Sequence, residues 1–267
     1  MRFPVLVLLF LAACNCATTP LGSLQSETVT LILTPQVVET ADGGEAEEPD
    51  IPGPTSRYWV PHLGFQWQIN STSSEELVTR LRQVEAAVAE TPDGGTRTPD
   101  AVLLEINSGG GSVPAGFLIG KAIEDLGIPV ICVVDGDDGA QSMAYWVLQS
   151  CDLRAMTRRS VLMLHQPSLN LFGVGGQEND WKNKAESLRV LNRALLEHAA
   201  RRMSISVDQA EVRTRDQDWF FDWRDALRYR AVDGVVTSVA EIRSSYETGL
   251  APPAAMLTRV PPVKQTR

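Results

Sequence analysis

Apolar positions along this 267-residue chain change period several times, and each change marks an element. Between residues 75 and 89, Leu77, Leu81, Val84, Ala87 and Val88 recur at three- and four-residue spacing. That spacing predicts a helix capped by Ser71 or Ser73, with Glu75 and Glu76 near its positive end. Unbroken apolar runs at 101–106 and 128–134 read instead as strands buried on both faces, and shorter ones at 153–155 and 161–164 as further strands. Helical spacing returns at 114–126 and 141–149, then over a long stretch at 180–202 and short ones at 207–213 and 223–229. One or two strands at 58–69, a strand or turn at 219–221 and a last strand at 234–239 complete the pattern. Strands alternating with helices of about 10–15 residues predict an α/β domain of βαβ units on a parallel sheet.

The two ends lack this texture. Arg2 followed by the apolar run 5–11 and small residues has the form of a targeting segment, too short to span a bilayer. Leu11-Ala12-Ala13-Cys14 resembles a bacterial lipobox, which implies cleavage before Cys14 and a lipid on its sulfur. Residues 1–13 thus read as a lipoprotein signal peptide. Residues 14–57 read as an acidic Gly/Pro-rich tether with one β-prone piece at 28–33, residues 58–243 as the folded domain, and 244–267 as a disordered tail. The expected location is the bacterial cell envelope, with the chain anchored to a membrane and not crossing it.

A net charge of −9 with no basic face argues against nucleic acid as a partner. Of the four cysteines, Cys14 is the lipid candidate and Cys16 lies beside it. Cys132 and Cys151 fall in apolar surroundings, where the reading favours two buried free thiols over a disulfide. No CxxC or Cys/His cluster has zinc-ligand spacing, so neither a metal nor another cofactor is expected.

Three features within 101–167 suit acyl-transfer chemistry. Asn107-Ser108-Gly109-Gly110-Gly111-Ser112 leaves a strand and enters a helix, and glycines there permit the close backbone approach an N–H oxyanion site needs. The spacing fits neither GxGxxG nor a P-loop; a plain tight turn is the alternative. Ser142 stands between a buried strand and a helix, a place where serine serves as a cap or as a nucleophile beside free N–H groups. His165 closes an apolar strand, as a base at a site rim or as a structural histidine. Local pattern leaves each choice open.

Taken together, particular strings resemble the Clp protease proteolytic subunit family. INSGGGSVPAG is similar to the family's INSPGGSVxAG, with Gly109 in place of proline. DGAQSMA resembles its GQAASMG nucleophile loop, and MLHQP its MIHQP. Asp218-Trp219-Phe220-Phe221 through Asp233 is similar to its DRFLSAxEAxxYGLVD. The resemblance implies Ser142 as nucleophile, His165 as base, Asp218 as the orienting acid, and the N–H groups of Gly111 and Met143 as oxyanion donors. Gapless counting through the long helix reaches Asp216 instead. Ala140-Gln141 stand where two alanines are usual, Ala144 and Arg230 where glycines are.

The implied fold is ClpP/crotonase-like: stacked βαβ units with a long handle helix. The implied activity is serine endopeptidase, in subunits that assemble as rings and cleave peptides or unfolded proteins. Family members work with a cytosolic ATP-driven unfoldase. An exported lipoprotein meets no ATP pool, which predicts ATP-independent cleavage and leaves an unfoldase partner open. Two other readings keep the fold. One is an envelope signal-peptide-peptidase-like enzyme with a Ser–Lys dyad, using Lys182 from the set Lys121, Lys182 and Lys184. The other is a scaffold lipoprotein without turnover.

Overall fold

The structure, a computed structural model, describes residues 58–91, 94–168 and 176–247. The expected signal peptide, tether, lipidated Cys14, Cys16 and residues 248–267 lie outside the described residues.

The domain opens with β1 (His62–Phe65) and α1 (Ser71–Ala86). Asn70 caps α1 through its side chain, with Ser73 returning the bond, so the predicted serine cap is displaced by one turn's logic: Ser73 is the N3 partner. A small antiparallel hairpin follows, β2 (Ala89–Glu90) with β3 (Thr96–Arg97). Then come β4 (Val102–Ile106), α2 (Val113–Asp125), β5 (Val130–Val134), β6 (Ala140–Gln141), α3 (Met143–Ser150) and β7 (Leu153–Thr157). The chain continues through β8 (Leu162–Leu164), the long α4 (Glu178–Arg202), α5 (Val207–Thr214), β9 (Trp219–Phe221), α6 (Trp223–Arg228), β10 (Gly234–Val236) and α7 (Val239–Glu247).

Five strands form a wholly parallel sheet in the order β1-β4-β5-β7-β10, the βαβ architecture the alternation predicted. Its strands read as unbroken apolar runs because both faces are covered. Val102, Leu104 and Ile106 of β4 and Val130, Cys132 and Val134 of β5 join the main core with α1, α2 and α3. The alternate residues, Leu103, Ile131 and Val133, pack on the far face against Val239, Ile242 and Tyr246 of α7. Each such side chain taken out of water contributes roughly 1.5–3 kcal/mol.

Three expectations change here. The domain extends past 243: α7 runs to Glu247, because Ile242 and Tyr246 are needed to cover the second sheet face. Gln141 belongs to a strand and not to the helix expected over 141–149, since β6 pairs with β8 and forces the turn at Ser142. Cys132 and Cys151 are not free thiols but a disulfide, with Cα atoms 6.0 Å apart. Both are fully buried, one on β5 and one at the C-cap of α3, so the bond staples that helix to the sheet.

A second sheet, β6-β8-β9, stands at the ends of β4 and β5. An isolated bridge of Ser108 with Ala140 joins it to the segment after β4, and a second bridge, Ile69 with Gly111, ties that segment to the one after β1. The candidate site is built on this sheet.

Candidate active site

Ser142 is placed by a turn that few residues adopt. Its φ of 52° and ψ of −120° lie outside the helical basin, a strain of about 1–3 kcal/mol that the surroundings must hold. They do so from both sides. The Ser142 N–H donates to Met163 O at 2.8 Å, and Gln141 N to Ser108 O at 3.0 Å. One turn earlier, the Asn107 carboxamide oxygen accepts from both Asp138 N and Gly139 N, at 3.0 and 3.1 Å. The Ser142 hydroxyl does not cap α3. It points at His165 instead.

The His165 Nε2 lies 2.6 Å from Ser142 Oγ. His165 directly follows β8, and β8 runs parallel to β6, so two adjacent strand ends deliver base and hydroxyl to one point. Burial pushes the His165 imidazole below its ordinary value of 6.5, and the Asp218 carboxylate partly offsets that shift. The ring is therefore neutral near pH 7, with Nε2 free to accept the serine proton.

Asp218 reaches the site by the same ladder logic. Leu164 is opposite Trp219 in the antiparallel β8–β9 pair, so the next residue of one strand faces the preceding residue of the other. His165 Nδ1 and Asp218 Oδ1 are 3.8 Å apart. That is longer than a hydrogen bond, a separation of the kind that tightens when substrate excludes water, and it becomes an ion pair once the imidazole takes up the serine proton. Asp216 is exposed in the turn after α5, and it is Asp218 that faces the imidazole.

The glycine loop lies against the serine from the other side. Gly110 and Gly111 have φ of +91° and +148°. A Cβ on Gly110 would fall 2.6–2.8 Å from Gln141 O, Met143 N and Ser142 Cβ, and one on Gly111 would enter the Ile69 carbonyl. The Met143 amide opens α3, where N–H groups have no intrahelical acceptor. The Met143 amide thus adjoins the serine, and of the two glycines it is Gly110 that lies directly against the Ser142 turn, with Gly111 next to it against Ile69. Gln141, the departure beside it, folds its Nε2 back onto Asp138 O at 2.8 Å.

The lysines of the alternative dyad are engaged elsewhere. Lys182 is 68% exposed and pairs with Glu178, Lys121 pairs with Asp125, and Lys184 lies over the Trp181 ring. Among the described residues no group of three or more His, Cys, Asp or Glu could hold a metal ion. Two residues that the motifs contain but sequence reasoning gave no role, Asn107 and Ser108, prove central to the geometry. Their only signal was a polar pair at the end of an apolar strand.

Comparison with known proteins gives a consistent picture. The sequence model of the family described as Clp protease matches residues 66–239. The ATP-dependent Clp protease proteolytic subunit 1 of Protochlamydia amoebophila is 27% identical over 180 residues, covering 66% of this chain and 81% of that protein. Subunit 3 of Rhodococcus jostii is 33% identical over 141 residues, 53% of this chain and 68% of that protein. Subunit 1 of Streptomyces coelicolor is 29% identical over 150 residues, 55% and 66% of the two chains.

Proposed function

The chain belongs to the Clp protease family and is a serine-type peptidase, and we propose that it hydrolyses peptides or unfolded proteins with Ser142, His165 and Asp218 as a triad. The observation that carries the assignment is the 2.6 Å contact between His165 Nε2 and a serine hydroxyl held at a strained turn. His165 takes the hydroxyl proton as Ser142 attacks the peptide carbonyl. Asp218 orients the imidazole and stabilises its cation. The Gly111 and Met143 amides receive the oxyanion, and His165 then protonates the leaving amine. Water, deprotonated by the same imidazole, releases the acyl group.

Members of the family form oligomeric rings and act on peptide substrates. We extend the ring to this chain. The first turns of α4 carry exposed side chains and stand clear of the core, which α4 joins only from Leu191 onward.

The proposed setting is the cell envelope, on a lipid anchor at Cys14. The buried Cys132–Cys151 disulfide supports it, because such bonds persist in oxidising compartments and are rare in the cytosol. With no ATP pool there, cleavage is ATP-independent. The purified chain should degrade an unstructured protein equally with and without ATP. Cleavage that appears only with ATP and an unfoldase would contradict this reading.

A further inference from the structure

We infer that Ser108 is a positioning residue of the oxyanion site: its buried hydroxyl occupies the Gly110 N–H, and so leaves the Gly111 N–H as the amide presented beside Ser142. The inference rests on the reading of Ser142 as nucleophile and adds what selects its oxyanion donor.

Ser108 is 1% exposed, and its hydroxyl is used twice. It donates to Trp67 O at 2.6 Å and accepts from Gly110 N at 3.1 Å. Its backbone is fixed as well: Ser108 N donates to Gly139 O, and Ser108 O accepts from Gln141 N. The hydroxyl is therefore held in register with the turn that carries Ser142.

The next bonds complete the selection. Ile69 N donates to Gly110 O and Ser112 N to Ile69 O, both at 2.8 Å. In this parallel bridge the bonds engage the groups flanking Gly111, so the Gly111 N–H points away from Ile69. Two consecutive glycines at positive φ have low barriers to rearrangement. Without a fixed acceptor for Gly110 N, either amide of the pair is free to turn toward the reacting carbonyl or away from it. The Ser108 hydroxyl removes that freedom. Alanine at this position removes both bonds, whereas cysteine keeps the shape with a poorer acceptor and a weaker donor.

The test uses the full chain as Ser108→Ala and Ser108→Cys, a fluorogenic peptide, and a peptide boronic acid. The boronate adduct on Ser142 is tetrahedral and puts an oxygen in the oxyanion site. In Ser108→Ala, kcat should fall on the order of 10- to 100-fold with KM within about 2-fold, a partial loss of one oxyanion donor. Boronate affinity should fall by the same factor, and Ser108→Cys should lie between, which also covers the case that the alanine variant does not fold. Unchanged boronate affinity in either folded variant with reduced kcat, or full activity in Ser108→Ala, overturns the inference and leaves the triad standing. Absence of any boronate adduct on Ser142 in the unaltered protein overturns the nucleophile assignment, and this inference with it.

Discussion

Two opposing influences set the proton affinity of His165: burial lowers it below 6.5, and the Asp218 charge raises it. Burial is the larger. The imidazole is the active form when neutral, so activity is lost as pH falls through its pKa. The acid limb of kcat/KM should therefore lie below pH 6.5. Asp218→Asn removes the raising influence, so the limb should move to still lower pH while kcat drops by several orders of magnitude. A limb that stays in place or moves up in that variant would detach Asp218 from His165. The sequence motifs pointed to Ser142 and His165 because each lies inside a short, contiguous string. Asp218 was ambiguous with Asp216 because the 25-residue α4 intervenes. The β8–β9 register, a long-range pairing, distinguishes the two by geometry.

At the scale of elements, α3 is fixed at both ends. The β6–β8 pairing and the Asn107 carboxamide brace the approach to its first residue. The Cys132–Cys151 bond ties its C-cap to β5. Closing a loop of 19 residues is worth about 3 kcal/mol through the unfolded chain. The paired Cys132→Ala and Cys151→Ala variant should lose about that much in denaturant unfolding, and reductant should then have no further effect on it. Equal stability of variant and parent would mean the bond does not form. A second tie lies at the sheet edge. Arg154, 1% exposed, makes a bidentate pair with Asp233 and a bond to Gln149 of α3. Asp233→Ala leaves that guanidinium buried without its anion and should cost about 3–5 kcal/mol, read from the same unfolding curves. Little loss would mean that water takes the place of the carboxylate. The parallel sheet and the helices between its strands were legible as apolar runs and helical spacing. Strand β6 and helix α7 were not. Each owes its state to a partner far along the chain, β8 for one and the second face of the parallel sheet for the other. The disulfide was missed for the same reason, since only the fold brings Cys132 and Cys151 together.

For the whole molecule, the fold, the family and the peptidase class agree, and the proposed envelope setting is what would set this chain apart from an enzyme that shares a compartment with ATP. Assembly is the property that belongs to this scale. Light scattering on the purified protein should give one species several times the monomer mass, as a ring requires. A monomer with full peptidase activity would remove the ring from the account. The central claim is narrower, that Ser142 is a nucleophile activated by His165. A fluorophosphonate probe, followed by mapping of the labelled peptide by mass spectrometry, tests it most directly. The label should sit on Ser142, and Ser142→Ala and His165→Ala should both abolish it in folded protein. Labelling that survives in Ser142→Ala, or a folded parent that takes up no label, would contradict it.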